Sequence, residues 1–262
     1  MDNKNTKQSH FRKRLVAEQH SFVITGANSF LGRAFAKSLL KNASYKIFLT
    51  SKNKFNFNNL LKNKNISYLP EIDLTVESDV NKLSKAIDGF IQGKFHVINC
   101  VGFFPGYEII EDINIQTAKK VFDSNVIALY SVANKLIPLM CNRNGGHFIG
   151  FSTHTSYQHY PKMVAFTAAK AAVESIIKGI ANEYLEKGII ANTIALATLR
   201  TKTELKIKPM GDSKNWLHTD EVCELVESII LHPCKLISGN VIHLYKYSNS
   251  FFHQSYFDRI NK

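Results

Sequence analysis

The chain has 262 residues, 45% of them hydrophobic, and 33 Lys and Arg against 21 Asp and Glu give a formal net charge of +12. That hydrophobic fraction excludes global disorder and fills a sizeable core, and α/β chains of this length often form one domain around one sheet. The charge makes anionic partners worth considering, but no RNA- or DNA-binding motif accompanies it, so we interpret it as a solvated basic surface and expect no nucleic-acid partner.

The polar, basic N-terminus predicts a flexible extension over residues 1–20, in front of a single domain over residues 21–262. No signal-peptide pattern follows it, and no apolar run reaches the roughly 18 residues of a membrane span. The four cysteines are scattered, without a CxxC pair or a metal-ligand spacing. We therefore predict a cytoplasmic protein with reduced thiols and no membrane partner.

Seven β-branched or aromatic runs follow between residues 21 and 245, and all but the last precede a segment with helical potential. They are SFVITG, YKIFLT, ISYLPEID, FHVINCVG, GGHFIGFS, IIANTIAL and GNVIHLY. Continuous apolar runs are typical of strands buried on both faces, and their alternation with helices favours a parallel sheet. We predict an α/β fold: one doubly wound Rossmann-type domain with a parallel sheet and helices on both faces.

The first predicted strand runs into TGANSFLG, a glycine-rich turn that opens the first helix. Such a turn lets backbone N–H groups approach a pyrophosphate, whose negative charge the helix dipole favours. We predict that this turn binds a dinucleotide through Thr25, Gly26, Asn28, Ser29, Phe30, Leu31 and Gly32.

Further motifs resemble the short-chain dehydrogenase/reductase family, in the family's order, over about residues 21 to 245. The turn is similar to TGxxxGxG, with Phe30 at the middle glycine. NCVG at 99–102 is similar to the family's NNAG element, and FxxxK from Phe166 to Lys170 is similar to its YxxxK pair. The resemblance implies a nicotinamide cofactor held also by Asp73, Leu74, Asn99, Val101, Gly102, Lys170 and Thr201, with Asp73 on the adenine and Thr201 on the nicotinamide.

The end of the second strand predicts which cofactor binds. Family members that prefer NAD carry an acidic residue there, which holds the ribose 2′-hydroxyl. This strand ends LTSKN, with Lys52 at that place, and a cation favours a 2′-phosphate. Ser29 adds a donor, and Arg33 either adds another or is an exposed helix residue. We predict NADP(H) as the cofactor.

The resemblance also implies the catalytic groups. In the family a tyrosine gives a proton to the carbonyl oxygen, a lysine lowers the tyrosine pKa and holds the ribose, a serine polarises the substrate, and an asparagine supports a proton relay. The lysine corresponds to Lys170 and the asparagine to Asn125. Thr153, thirteen residues before Phe166, keeps the hydroxyl of the serine, but Phe166 has no proton to give.

Losing a general acid typically costs about 10²- to 10⁴-fold in rate, and three explanations for Phe166 are open. Tyr157 or Tyr160, a substrate group or water supplies the proton; the protein is a silent NADP(H)-binding pseudoenzyme; or it is a reductase with slow residual activity. We predict an oxidoreductase with an altered site that transfers hydride to or from a carbonyl or hydroxyl, with the pseudoenzyme as the alternative.

The segment after Thr201 occupies the place of the family's substrate lid. It carries Lys202, Lys206 and Lys208, which predict a small anionic substrate such as a sugar nucleotide, against the alternative of a solvated basic loop. The phenylalanines of FFPG at 103–106 either border the active site or pack in the core.

Two further expectations concern metals and assembly. The spacing of His147, His154 and His159 suits no metal site, and we predict none. The resemblance implies a homodimer or homotetramer formed through the helices around Asn125 and Phe166.

Overall fold

The seven predicted strands all form, and in the computed structural model they join one parallel sheet in the order β3-β2-β1-β4-β5-β6-β7. The structure describes residues 20–55, 57, 61–207 and 213–245, so the predicted extension lies outside it except for its last residue. The strands are β1 Ser21–Thr25, β2 Lys46–Ser51, β3 Ile66–Pro70, β4 His96–Asn99, β5 Gly146–Thr153, β6 Ile189–Leu196 and β7 Val241–Leu244. The predicted doubly wound fold is confirmed.

Helices cover both faces of this sheet. They are α1 Phe30–Leu39, α2 Glu77–Phe90, α3 Ile115–Phe122, α4 Ala128–Cys141, α5 Thr155–Gln158, α6 Val164–Tyr184, α7 Lys202–Ile207 and α8 Thr219–Leu231. Helices α2, α4 and α6 bury their apolar sides in one core cluster, and α1 and α8 bury theirs in the other. Within the described ranges, no helix combines the length and apolar character needed to cross a bilayer.

Strand β1 explains why the strands read as continuous apolar runs. Phe22 and Ile24 belong to one core cluster and Val23 to the other, because successive side chains point to opposite faces of the sheet. The chain crosses from β3 back over the sheet to place β4 on the free side of β1. This reversal of strand order opens a crevice at the carboxyl ends of β1 and β4, where α/β sheets bind their ligands.

A stack of three histidines lies at the other end of the sheet, where the strands begin. The backbone N–H of His147 donates to Nδ1 of His96 at 3.2 Å, so the proton of that ring is on Nε2, which lies 3.3 Å from Nδ1 of His20. Burial, and then the charge of neighbouring groups including Lys94, lowers the pKa of His96 well below its usual value and that of His147 to about 4. His154 lies at the opposite end of β5, so these histidines do not converge.

Candidate active site

A cleft of about 510 Å³ opens at the carboxyl ends of β1, β2 and β4. Eight of the residues that the sequence assigned to the cofactor line it: Gly26, Asn28, Ser29, Lys52, Asp73, Leu74, Val101 and Gly102. The predicted nucleotide-binding segments therefore meet at one place, although they are separated by up to 76 positions in the chain.

Two glycines fix the shape of the turn after β1. Gly26 has φ +65°, and a Cβ there would lie 2.9 Å from the carbonyl carbon of Cys100 on the neighbouring strand end. A Cβ on Gly32 would lie 2.4 Å from the carbonyl oxygen of Gly26. The turn therefore packs against β4 and against its own helix too closely for any side chain at either position.

The N-terminus of α1 presents free donors to the cleft. Ser29 caps the helix, since its Oγ accepts from the N–H of Gly32 at 3.0 Å. No described group accepts from the N–H of Phe30 or Leu31, as is normal for the first turn of a helix. Phe30, at the place of the family's middle glycine, is 44% exposed.

Thr25 and Asn99 join the ends of β1 and β4. The hydroxyl of Thr25 donates to Oδ1 of Asn99 at 2.6 Å, and both residues are buried. Neither lines the cleft. Their side chains hold together the two strand ends on which the cleft is built.

Lys52 and Asp73, predicted to bind different parts of the cofactor, form an ion pair at the mouth of the cleft. Lys52 Nζ lies 2.6 Å from Oδ2 of Asp73, and its side chain is 71% exposed. Partial burial raises the pKa of Asp73, but hydrogen bonds from Lys52 and Thr75 outweigh this and lower it below its usual value. A phosphate would have to compete with Asp73 for this cation.

Helix α3 adds cations to the cleft that the sequence reasoning missed. Lys119 and Lys120 line it together with Gln116. Lys120 Nζ lies 4.3 Å from the centroid of the Phe103 ring, which holds this ammonium over an aromatic face. The position of these lysines, five and six residues before Asn125 on the preceding helix, is the signal that could have identified them.

Lys170 is a buried lysine of α6 beside the cleft, with its Nζ 3.3 Å from where a Cβ on Gly102 would lie. Its Nζ donates to the carbonyl oxygen of Phe151 at 2.9 Å. Burial lowers its pKa to about 8, although Cys100 and Glu174 act in the opposite direction. At neutral pH the ammonium form predominates, and it is available to a ribose hydroxyl or an oxyanion.

Phe166 lies on the same face of α6 as Lys170, as their spacing predicts. Lys170 Nζ is 5.6 Å from the centroid of the Phe166 ring. The ring also makes an edge contact with Phe104, at a centroid distance of 5.0 Å. The FFPG segment therefore borders the site, and the place of the family's tyrosine is occupied by a ring between a cation and an aromatic neighbour.

Thr153, at the end of β5, has a hydroxyl whose proton is free to point into the site. Its Oγ1 accepts from the N–H of Thr155 at 3.4 Å and from the hydroxyl of Thr155 at 3.2 Å. Thr155 in turn lies 3.4 Å from the hydroxyl of Thr167, the neighbour of Phe166 on α6. A row of hydroxyls thus connects the end of β5 to α6.

Asn125 lies in a π-helical segment, Asp123–Ile127, that joins α3 to α4. Single π-turns inside helices often occur at functional sites. The Asn125 amide donates to the carbonyl oxygens of Phe103 and Val121, each at 2.8 Å, while its buried Oδ1 has no partner among the described residues. A Cβ on Gly102 would lie 2.8 Å from that Oδ1, so only glycine fits beside it.

The structure separates the two tyrosines considered as replacement acids. Tyr157 is 74% exposed, and the centroid of its ring lies 5.9 Å from that of His243 on the edge strand β7. The hydroxyl of Tyr160 donates to Oε1 of Gln158 at 2.8 Å. The exposure of Tyr157 and its contact with β7 count against it as the acid, and Tyr160 stays a candidate.

Thr201 lies where the chain enters α7, the helix at the predicted place of the substrate lid. Its hydroxyl caps that helix by accepting from the N–H of Glu204 at 3.0 Å. Lys202 and Lys206 are exposed on α7, and Lys208 lies outside the described residues.

These features fit a dinucleotide. The glycine cradle, the free N–H groups of α1 and the lysines of the cleft match a pyrophosphate and further phosphate, and Lys170 matches a ribose hydroxyl. The unpartnered Oδ1 of Asn125 is a further acceptor beside Gly102.

Comparisons with known proteins agree with this geometry. A family model described as short chain dehydrogenase matches residues 20–211. An uncharacterized oxidoreductase of Staphylococcus aureus (strain USA300) is 25% identical over 214 residues, which cover 80% of this chain and 90% of the relative.

Two solved structures share the fold. A Tyr-to-Phe variant of ElxO with NADPH bound has a TM-score of 0.76 and 23% identity, over 86% of this chain and 97% of its own. The 3-ketoacyl-(acyl-carrier-protein) reductase from Brucella melitensis, complexed with NADH, has a TM-score of 0.76 and 20% identity. The match covers 87% of this chain and 97% of the reductase.

Proposed function

Because this chain belongs to the short-chain dehydrogenase family, we propose that it is an NADP(H)-dependent oxidoreductase whose site works without the usual tyrosine. The observation that carries this proposal is Lys170, an ammonium buried beside the cleft and directed at the carbonyl of Phe151. Burial lowers the pKa of this lysine to about 8, and ionisable groups with shifted pKa values beside a cleft are typical of functional sites.

Each side chain then has a role in carbonyl reduction. When bound, the nicotinamide supplies a hydride to the carbonyl carbon. Lys170 would hold the ribose, and the Thr153 hydroxyl would donate to the substrate oxygen, since its oxygen is the acceptor in both of its contacts with Thr155. Asn125 supports the site from the π-turn. The proton for the alkoxide comes from water or from the substrate itself, because Phe166 has none.

A second candidate function is favoured by the surroundings of Phe166. Its ring packs against Phe104 and faces the Lys170 ammonium. These aromatic and cation–π contacts stabilise the phenylalanine at this position. A silent protein that binds NADP(H) as a regulatory ligand would keep this arrangement. Turnover on a panel of carbonyl compounds, measured together with NADPH affinity, separates the two: tight binding without turnover favours the silent protein.

The choice of NADP(H) rests on Lys52, and we expect Lys52→Ala to weaken NADPH binding about tenfold while NADH binding changes little. Charge-assisted hydrogen bonds contribute about 1.5–3 kcal/mol, and part of this is offset because Lys52 must leave Asp73. Fluorescence titration of both cofactors measures the effect.

Lys54→Ala is the matched control for that experiment. Lys54 belongs to the same loop and pairs with Glu71 at 3.2 Å, but it does not line the cleft. It should leave both affinities unchanged. An equal loss of NADPH and NADH binding in Lys52→Ala, or tighter binding of NADH by the unmodified protein, would contradict a role in 2′-phosphate recognition.

We also propose a homodimer or homotetramer formed through α4 and α6. Exposed apolar side chains on and beside these helices support it: Phe122, Ile127, Tyr130 and Val164. Removing them from water against a second copy would be favourable.

The proposed compartment is the cytoplasm. All four cysteines are free thiols, and Cys100 and Cys223 are buried. Unpaired cysteines suit a reducing environment.

A further inference from the structure

Two serines and a glutamate connect the segments that carry Thr153 and Lys170, and we call them the serine–glutamate cluster: Ser152 of β5, Ser156 of α5 and Glu174 of α6. The hydroxyl of Ser152 donates to Oε1 of Glu174 at 2.5 Å, and the hydroxyl of Ser156 donates to the same oxygen. Both serines are buried, and Glu174 is half-buried. Two donors from separate segments therefore fix the position of this carboxylate.

The serine hydroxyls also have acceptors other than Glu174. The carbonyl oxygen of Lys170 lies 3.4 Å from Oγ of Ser152, and the carbonyl oxygen of Thr153 lies 2.7 Å from Oγ of Ser156. A change at Glu174 therefore leaves each hydroxyl with an acceptor, and the fold does not depend on the carboxylate to satisfy them.

Glu174 lies one helical turn after Lys170, and residues four apart on a helix share a face. Both side chains are bound to the end of β5. Lys170 Nζ donates to the carbonyl oxygen of Phe151, and Glu174 accepts from the next residue, Ser152. The ammonium and the carboxylate are therefore held against the same two residues of the strand, immediately before Thr153.

Glu174 also provides the negative charge in the surroundings of Lys170. Burial lowers the pKa of Lys170 to about 8, and Cys100 and Glu174 act in the opposite direction. Burial raises the pKa of the Cys100 thiol well above its usual value, so this thiol is neutral near pH 8. The Phe166 ring, 5.6 Å from Lys170 Nζ, has no charge. Among these neighbours, the counter-charge of the ammonium is therefore the Glu174 carboxylate.

We propose that Glu174 is a positioning residue of this site: fixed by Ser152 and Ser156, its carboxylate keeps Lys170 in the ammonium form that holds the cofactor ribose. This inference rests on the proposed function, because it concerns the same cofactor site. An ammonium binds a hydroxyl more strongly than a neutral amine does. NADPH affinity should therefore fall as rising pH deprotonates Lys170, and Glu174 sets the pH at which it falls.

The first measurement follows the Lys170 side chain without any cofactor. The protein is labelled at lysine Cε, the signal of Lys170 is assigned by its absence in Lys170→Met, and its NMR shift is recorded between about pH 6 and about pH 10. Glu174→Gln keeps the size of the side chain and an oxygen that accepts from the serines, but it removes the charge. The midpoint of the Lys170 titration should therefore move to lower pH.

Three further variants show whether charge is the cause. Glu174→Asp keeps the charge and should bring the midpoint back towards that of the unmodified protein. Glu174→Met is a second variant without charge, and it should lower the midpoint as Glu174→Gln does. Glu183→Gln, at an exposed position of the same helix, is the matched control and should leave the midpoint unchanged.

The second measurement is NADPH affinity, determined by fluorescence at about pH 6.5 and about pH 8.5. Glu174→Gln should bind NADPH like the unmodified protein at the lower pH and about threefold more weakly at the higher pH, because more of its Lys170 is neutral there. A loss of packing would weaken binding equally at both pH values. In the Lys170→Met background, Glu174→Gln should have no further effect that depends on pH.

An unchanged Lys170 midpoint in both variants without charge, the same shift in Glu183→Gln, or equal losses of NADPH affinity at both pH values would overturn the proposal. The two measurements also separate it from the proposed function. A protein that binds NADPH but shows no shift of the midpoint loses only the role of Glu174. A shifted midpoint in a protein that does not bind NADPH would contradict the proposed function and leave Glu174 as the counter-charge of Lys170.

Discussion

Phe166→Tyr is expected to raise NADPH-dependent carbonyl reduction by roughly 10²-fold, the lower bound for what a general acid contributes. The substitution adds a hydroxyl to a ring that already lies beside the Lys170 ammonium, 5.6 Å from its centroid. A nearby positive charge lowers the pKa of a tyrosine and so makes its proton easier to transfer. Initial rates of NADPH oxidation with a panel of carbonyl compounds measure the gain, and the fold should tolerate one added oxygen.

The gain should depend on Lys170. Lys170→Met in the Phe166→Tyr background is therefore expected to remove it, because the new hydroxyl loses its charged neighbour. If Tyr157 or Tyr160 supplies the proton instead, the unmodified protein should already turn over, Tyr→Phe at that position should abolish turnover, and Phe166→Tyr should change little. Tight NADPH binding without activity in all of these variants would leave the silent binding protein standing.

The histidine stack is expected to make the fold sensitive to acid. The pKa of His147 is about 4 in the folded protein and near 6.5 in an unfolded chain, so the unfolded state binds more protons between these values. The contribution of His147 to the free energy of unfolding is therefore fully present above about pH 6.5 and is lost as the pH drops towards 4. For His147 the full loss is roughly 3 kcal/mol, and the lowered pKa of His96 adds to it in the same direction.

Urea unfolding at several pH values between 7 and 4.5 measures the slope of the free energy of unfolding against pH. His147→Leu should reduce this slope. No described group accepts from or donates to either ring nitrogen of His147, so a side chain of similar size without polar atoms should be tolerated at pH 7. His232→Leu, at an exposed position just after α8, should leave the slope intact. An unchanged slope in His147→Leu would show that acid acts elsewhere in the molecule.

The fold was predictable because its signals are local. Strands covered on both faces read as nearly continuous apolar runs, and the turn after β1 tolerates only glycine at Gly26 and Gly32. The spacing of Phe166 and Lys170 also suffices to place both on one helical face. In these cases a short stretch of chain contains the whole physical reason for its structure.

Other parts of the site depend on contacts between distant segments. The ion pair of Lys52 with Asp73 joins the ends of two strands, and the hydrogen bond from the Glu108 N–H to the Lys162 carbonyl oxygen joins the loop after β4 to the segment before α6. No periodicity in the sequence reports such pairs. The pairing of Lys52 with Asp73 therefore became visible only in the structure.

The histidine stack is an intermediate case. His96 and His147 each precede the first paired residues of neighbouring strands, Val97 and Phe148, so they stand at the same level of the sheet. The topology implies their contact once the strand order is known. No local pattern encodes the strand order, and this is why the contact of His96 with His147 could not be predicted from the sequence.

The central position of β1 also determines when the protein becomes functional as it folds. Its partner on one side, β2, follows within about 25 residues, but its partner on the other side, β4, is made only after some 75 residues. Closing such a long loop costs conformational entropy before the contacts between the strands can offset it. The pairing of β1 with β4 is therefore expected to form late and slowly. The bond from Thr25 to Asn99 spans the same gap. The nascent chain therefore cannot shape its nucleotide cleft until β4 has left the ribosome, and until then the unpaired edge of β1 is open to association with other chains.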